Sequence, residues 1–143
     1  MAGYMTKLQG YVYDGAHIAA EELENGVFAE ITADGVKKLA GADGMTLRVA
    51  LGGKTTLWTK NALILDVVKA GNKEVFFVEN EWEIDDTTDY NTAEYKVKAG
   101  KYVRMHRPLP GEQLIMTVGE DVYGAVAEGD TVTLVAGGTV AKA

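Results

Sequence analysis

Short runs in which apolar and polar residues alternate, separated by glycine-containing turns, make up most of the chain. The longest run is 74–85, EVFFVENEWEID. One face of this run holds, together with Asn80, the apolar residues Phe76, Val78, Trp82 and Ile84. The other face holds the acidic residues Glu79, Glu81, Glu83 and Asp85. A period of two predicts a strand with one buried face and one acidic face.

Other runs of the same kind predict further strands. These are Thr46–Leu51, Thr55–Thr59, Tyr95–Lys98, Tyr102–Met105, Gln113–Val118 and Thr131–Val135. In the run Tyr95–Lys98, the side chains of Lys96 and Lys98 are expected to point outward. The apolar run Ala62–Val68 fits either a buried strand or one turn of helix, because periodicity alone does not separate the two.

The turn signals are mostly dipeptides that contain glycine. Asn25-Gly26 is a strong hairpin signal, because both residues tolerate positive φ. Although 16–24 has good helix propensity, we predict a hairpin with Leu23 opposite Phe28 and Glu22 opposite Ala29. Further turns are predicted at Asp34-Gly35, Asp43-Gly44, Gly52-Gly53, Gly71-Asn72, Gly100, Pro110-Gly111 and Gly129-Asp130.

About nine or ten short strands with turns between them predict a mostly β fold, either a small β-barrel or a β-sandwich. Residues 10–143 form a single domain in this interpretation. Residues 1–9 are either a flexible terminus or an extended N-terminal arm that orders on a neighbouring molecule. In the second case, the anchors of the arm would be Tyr4, Met5 and Leu8.

Composition narrows the class of protein. The chain is 47% hydrophobic and 24% charged, as in globular proteins. The net charge of −7 disfavours nucleic acid as a partner. Without cysteine there is no thiolate site and no disulfide. No apolar stretch reaches 18 residues and no signal peptide is evident, so we expect no membrane association, and a protein made in the cytosol or carried out of the cell within a larger object.

Motifs that carry chemistry are not found. The sequence lacks serine, and no threonine stands in a nucleophile context. The segment GGKTT, residues 52–56, lacks the first glycine of a phosphate loop and is interpreted as a turn. His17 and His106 lie far apart and are interpreted as surface or turn residues. The acidic group Glu83, Asp85, Asp86 and Asp89 does not fit a calcium loop. We therefore predict neither an enzyme nor a cofactor or metal site.

Basic residues are concentrated between 96 and 107. They are Lys96, Lys98, Lys101, Arg104, His106 and Arg107, with Tyr95 directly before them and Tyr102 among them. Such a pattern can bind nucleic acid, but the net charge argues against it. Two interpretations remain: a solvated basic face, or a subunit interface in which these residues meet the acidic strand of Glu79, Glu81 and Glu83.

Both ends of the chain resemble a family of small structural proteins of tailed bacteriophages. The segment GYVYDGAHIAAEELENGVFAEI, from Gly10, is similar to the Tyr/Asp-Gly segment and E-L-E-N-G turn with which such proteins begin. The segment EGDTVTLVAGG, 128–138, is similar to their G-D-x-V-x-L element. The middle segment, YKVKAGKYVRMHRPLPGEQLIMTV, departs from the G-Y-R-L-x-x-G-D strand pair of that family.

The resemblance implies a head decoration (cement) protein, which binds the outside of the capsid and stabilises the head. It implies the major capsid protein as a partner, self-association as a homotrimer, and a location on the capsid surface after assembly in the host cytoplasm. The alternatives are a tail or neck component, or a receptor- or carbohydrate-binding β-module. A carbohydrate-binding module would require exposed aromatic side chains, for which Trp58 and Trp82 are the only tryptophans.

Overall fold

The computed structural model describes residues 5–6, 12–41, 45–57, 60–71, 74–79 and 96–143, and regular structure there is almost entirely β. The described strands are β1 (Met5–Thr6), β2 (Val12–Ile18), β3 (Leu23–Glu24), β4 (Phe28–Thr32), β5 (Gly35–Lys38), β6 (Thr46–Leu57), β7 (Lys60–Lys69), β8 (Phe76–Val78), β9 (Lys96–Val97), β10 (Tyr102–Arg107), β11 (Gln113–Thr117), β12 (Thr131–Val135) and β13 (Thr139–Lys142). One short helix, α1 (Glu120–Ala125), lies between β11 and β12.

The described strands form three antiparallel sheets, none of which closes into a barrel. A six-stranded sheet has the order β1-β11-β7-β6-β12-β13, and a five-stranded sheet has the order β2-β10-β8-β4-β5. The third sheet is the pair β3-β9. The prediction of a mostly β fold is confirmed.

The main hydrophobic core lies between the six-stranded and five-stranded sheets. Leu47, Leu65 and Leu114 of the larger sheet pack in one cluster with Phe28 and Phe77 of the smaller sheet, and all five side chains are fully buried. The rings of Phe28 and Phe77 lie 5.3 Å apart, centroid to centroid. Burial of this apolar surface holds the two sheets together.

A second core covers the opposite face of the five-stranded sheet. Leu23 of β3 and Val97 of β9 pack there against Ala29, Phe76 and Val78. The five-stranded sheet is therefore covered on both faces around its middle strand, β8. Strands buried on both faces read as continuous apolar runs and do not alternate.

The double coverage corrects the prediction for residues 74–79. Phe77 falls on the predicted polar face but is fully buried, and Glu79, on the same predicted face, is only 7% exposed. The half-buried, acidic strand is therefore wrong for this part of the run. Residues 80–85, with Glu81, Glu83 and Trp82, lie outside the described residues.

The turn at Asn25-Gly26 is confirmed, with a φ of 85° at Gly26, but the predicted hairpin is wrong. Leu23 pairs with Val97, whereas Phe28 pairs with Phe77. The two segments diverge because they join different sheets. The Gly26 amide donates to the carbonyl oxygen of Val78, over 2.8 Å, which fixes the turn against β8.

The turn predicted at Gly52-Gly53 is wrong. These residues do not separate two strands, because the single strand β6 runs through them. Val49 pairs with Leu65 and Lys54 with Leu63, so that several residues of β6 bulge out opposite a single residue of β7. A Cβ atom on Gly53 would lie 2.8 Å from the carbonyl oxygen of Ile64, so glycine permits the close approach. The bulge also excludes a phosphate loop, which would lead into a helix.

Several other predictions are confirmed. The turns at Asp34-Gly35, Gly100, Pro110-Gly111 and Gly129-Asp130 form. Of the two alternatives left open for 62–68, the structure shows the strand, which lies within β7. Strand β12 has the predicted bounds. Helix α1 was not predicted, since it contains no buried residue. The turns predicted at Asp43-Gly44 and at Asn72 fall on residues that are not described.

Candidate functional site

The predicted basic residues lie on β9, on β10 and on the turn between them. Lys96, Lys98, Lys101 and Arg104 are exposed, and Arg107 is half-buried. Within the described residues, ion pairs at the surface join Lys96 to Glu22, over 3.8 Å, and Arg107 to Glu74, over 3.7 Å. Such exposed pairs contribute little to stability.

The turn between β9 and β10 is held firmly. The Lys101 amide donates to the Lys98 carbonyl oxygen over 3.1 Å, and Gly100 has a φ of 87°. The Gly100 amide donates to the carbonyl oxygen of Ala19, and the Ala19 amide donates to that of Lys101, over 2.9 and 2.8 Å. These backbone bonds fix the turn against Ala19, just beyond β2. The side chains of Lys98 and Lys101 therefore extend from a backbone that is already ordered.

Beside this turn lies an exposed apolar pair. Tyr102, 66% exposed, pairs directly with Ile18 of β2, which is 42% exposed. Arg104 is exposed two residues further along β10. We refer to Ile18, Lys98, Lys101, Tyr102 and Arg104 as the basic corner. Its chemistry suits a protein surface that presents carboxylates around an apolar centre, because tyrosine and arginine are enriched in interface centres.

The other predicted interface residues are not brought to the basic corner by the described structure. Glu79 is buried and bonded to His106. Met5 pairs with Ile115 of its own chain, at the edge of the six-stranded sheet. Tyr4, Leu8, Glu81 and Glu83 lie outside the described residues.

His106 is fully buried, so its interpretation as a surface or turn residue is wrong. Nδ1 of its ring is hydrogen-bonded to Oε1 of Glu79, and Nε2 lies 2.7 Å from Oε2 of Glu112. The edge of the ring meets Phe77, with centroids 6.0 Å apart and planes at 69°. We refer to Glu79, His106 and Glu112 as the buried triad.

Backbone bonds hold both carboxylates of the buried triad in place. The Glu79 amide donates to the carbonyl oxygen of Arg104 over 2.9 Å. Oε1 of Glu112 accepts from the Leu109 amide over 3.0 Å, and the Glu112 carbonyl oxygen accepts from the Val67 amide over 2.9 Å. Because Val67 belongs to β7 and His106 to β10, the triad joins the two large sheets.

Two opposing effects act on the pKa of His106. Burial disfavours the charged imidazolium and lowers the pKa, whereas hydrogen bonding and charge from Glu79 and then Glu112 raise it. The carboxylates prevail, and the pKa of His106 lies above its ordinary value of 6.5. A ring with a carboxylate at each nitrogen is best satisfied when both nitrogens carry hydrogen.

Metal binding is not indicated in the described ranges, where no group of three or more histidine, aspartate or glutamate side chains is arranged to hold an ion. Both ring nitrogens of His106 are already hydrogen-bonded within the protein. The triad was not predicted from the sequence. Although Glu112 follows His106 by only six residues, Glu79 lies 27 residues before it and reaches the ring through the pairing of β8 with β10. In the sequence His106 is in phase with the exposed residues Tyr102 and Arg104, so alternation along β10 does not predict its burial.

A polar cleft of about 320 Å³ lies where the ends of the two large sheets meet. Its lining includes the charged side chains Glu24, Lys38 and Lys60. Aromatic side chains do not occur among the described residues that line it. Trp58 and Trp82, on which a carbohydrate-binding site would depend, lie outside the described residues.

Comparison with protein-family models, with curated proteins and with solved structures gave no match. Among the described residues, no helix is long and apolar enough to cross a membrane.

Proposed function

We propose that the chain is a structural protein of a tailed-bacteriophage virion, which binds the outer capsid lattice as a trimer and stabilises the head. In this role it would be a decoration (cement) protein, assembled in the host cytoplasm, with the major capsid protein and two further copies of itself as partners. Its sandwich-like stack of sheets would brace neighbouring capsid subunits.

The observation that carries the proposal is the basic corner. It combines cationic side chains with an exposed tyrosine on a backbone fixed by hydrogen bonds. A binding surface that is ordered before contact loses less conformational entropy on association. The chain as a whole has a net charge of −7, so the basic corner is a positive patch on an acidic protein. Attraction between this patch and an acidic surface of the partner would orient the partner on the corner.

Two further features support the proposal. The resemblance of 10–31 and 128–138 to phage structural proteins covers strands that form both large sheets. The second feature is Met5–Thr6, which adds a short strand to β11 by main-chain hydrogen bonds. The same mode of strand addition would let this segment join the sheet of a neighbour, as an arm of residues 1–9 would.

Cryo-electron microscopy of the virion that carries this chain tests the proposal. We expect density for the chain outside the capsid at three-fold or quasi-three-fold positions, with the basic corner against an acidic surface. Density in the neck or tail would replace the proposal by the tail-component alternative. Absence from the particle would overturn any virion role and direct attention to the receptor- or carbohydrate-binding alternative.

A further inference from the structure

The buried triad has no part in the proposed function, yet it places three ionisable groups in the interior. His106 is fully buried, and Glu79 and Glu112 are 7% and 1% exposed. Burying charge is costly unless each group is paired and hydrogen-bonded, as all three are here. The protonation state of the buried triad therefore affects the stability of the whole fold.

The hydrogen-bond geometry distinguishes two protonation states of His106. A doubly protonated ring donates to Glu79 from Nδ1 and to Glu112 from Nε2, and it leaves the triad with a net charge of −1. A singly protonated ring has one N–H and one lone pair, so that one nitrogen would direct its lone pair at a carboxylate. One hydrogen bond is then lost, and the buried charge rises to −2.

The charged and titratable groups on the described elements around the ring are the following. The end of β8 supplies Glu79, and the segment before β11 supplies Glu112. On β10 itself, Arg104 is exposed and Arg107 is directed to Glu74. On β7, Asp66 accepts a bond from Gln113 over 2.8 Å. On β2 the residue in register with His106 is Tyr13.

We propose that the buried triad is a proton-dependent clasp between the two large sheets, closed while His106 carries two ring protons and open once one is lost. Glu79 and Glu112 each close a hydrogen bond on the ring, and their backbones are tied to β10 and β7. Loss of the clasp therefore loosens β10 against the six-stranded sheet.

The direction of the pH effect follows from linkage. A group whose pKa is raised on folding contributes stability that is fully present below the unfolded value and is lost as pH rises through the folded value. For His106 the clasp is therefore closed below pH 6.5 and opens above it, as pH passes through the raised pKa of the folded state. Alkaline conditions weaken the fold through this group.

The test uses the full chain with His17→Gln, which leaves His106 as the only histidine. The ¹⁵N signals of the ring report its protonation directly, and urea unfolding at the same pH values reports stability. From about pH 6 to about pH 9 we expect the ring to lose its second proton above the ordinary histidine range, and the urea midpoint to fall over the same interval.

Glu112→Gln in the same background serves as the matched variant, since it keeps the size of the side chain and removes one carboxylate. We expect both the ring titration and the fall in urea midpoint to move to lower pH together. A ring that is singly protonated at about pH 6 in the His17→Gln protein would overturn the clasp. A flat urea midpoint across the ring titration would overturn it as well. Neither result depends on a virion, so the proposed function is tested separately.

Discussion

The backbone amide of Phe28 donates a hydrogen bond to the carbonyl oxygen of Gly138 over 2.8 Å, where β4 of one large sheet meets the turn between β12 and β13 of the other. The approach is so close that a Cβ atom on Gly138 would collide with the carbonyl oxygen of Phe28. Gly138 also has a φ of 75°, which side chains disfavour. Glycine thus satisfies two separate requirements at this contact between sheets.

Replacement of Gly138 by alanine tests this contact. We expect Gly138→Ala to lower the free energy of unfolding by about 3 kcal/mol, because it adds a backbone collision to the strain of a positive φ. Gly137→Ala is the matched control: Gly137 has a φ of 91°, but a Cβ atom there meets nothing within 4 Å. The control should lose about 1 kcal/mol in urea unfolding. Equal losses would show that the collision is relieved at no cost.

The burial of β8 on both faces predicts that two adjacent side chains are both essential. Phe77 packs in the main core and Phe76 in the second core. We expect Phe76→Ala and Phe77→Ala each to cost about 3 to 5 kcal/mol. Ile31→Ala, on the same sheet but 37% exposed, serves as the control and should cost much less. A large loss at only one phenylalanine would indicate a strand with a single buried face.

Asp130 should stabilise the fold in a pH-dependent way. Its carboxylate accepts from the Ala127 amide over 2.9 Å, and this bond, helped by Lys142, holds the pKa of Asp130 below its ordinary value of 3.8. A lowered pKa gives stability that is present above the unfolded value and lost as pH falls through the folded value.

Asp130→Asn therefore should reduce the urea midpoint more at neutral pH than in strong acid. Urea unfolding of the variant and of the natural chain, measured from neutral pH to strong acid, makes the comparison. A gap between the two proteins that stays constant as pH falls would show that the charge of Asp130 does not contribute.

Charge reversal at the basic corner should affect association more than folding. We expect Lys98→Glu with Lys101→Glu to lower the oligomer mass, measured by analytical ultracentrifugation, with little change in the urea midpoint, because both side chains are exposed. Lys37→Glu with Lys69→Glu makes the same change in net charge elsewhere on the surface. An oligomer mass equal to that of the control would contradict a role of the corner in self-association.

The sequence predicts much of the local structure, because turns and isolated strands depend on neighbouring residues. The bounds of β12 and the turns at Gly100 and Gly129 follow from glycine and from alternation. Which strands pair with one another does not follow from these local features. Asn25-Gly26 has every local feature of a hairpin, yet β3 pairs with β9, a strand that follows about 70 residues later in the chain.

The candidate sites show the same division. The basic residues of the corner are adjacent in the sequence, and only the contribution of Ile18 had to come from the pairing of β2 with β10. The buried triad assembles Glu79, His106 and Glu112 from separate segments. A fully buried histidine looks like a surface residue until the carboxylates at its two ring nitrogens are known.

The hydrogen bond from Gly26 to Val78 has a consequence for how the protein ages. Asparagine followed by glycine is the dipeptide most prone to spontaneous deamidation, in which the glycine nitrogen attacks the side-chain carbonyl carbon of asparagine, ammonia leaves, and a cyclic imide forms. Here that nitrogen is held by the Val78 carbonyl oxygen, and Asn25 is only 3% exposed. The attack requires the turn to leave β8 first. Asn25 is therefore protected for as long as this turn stays against β8, and an aspartate or isoaspartate at position 25 would record that the turn had once opened.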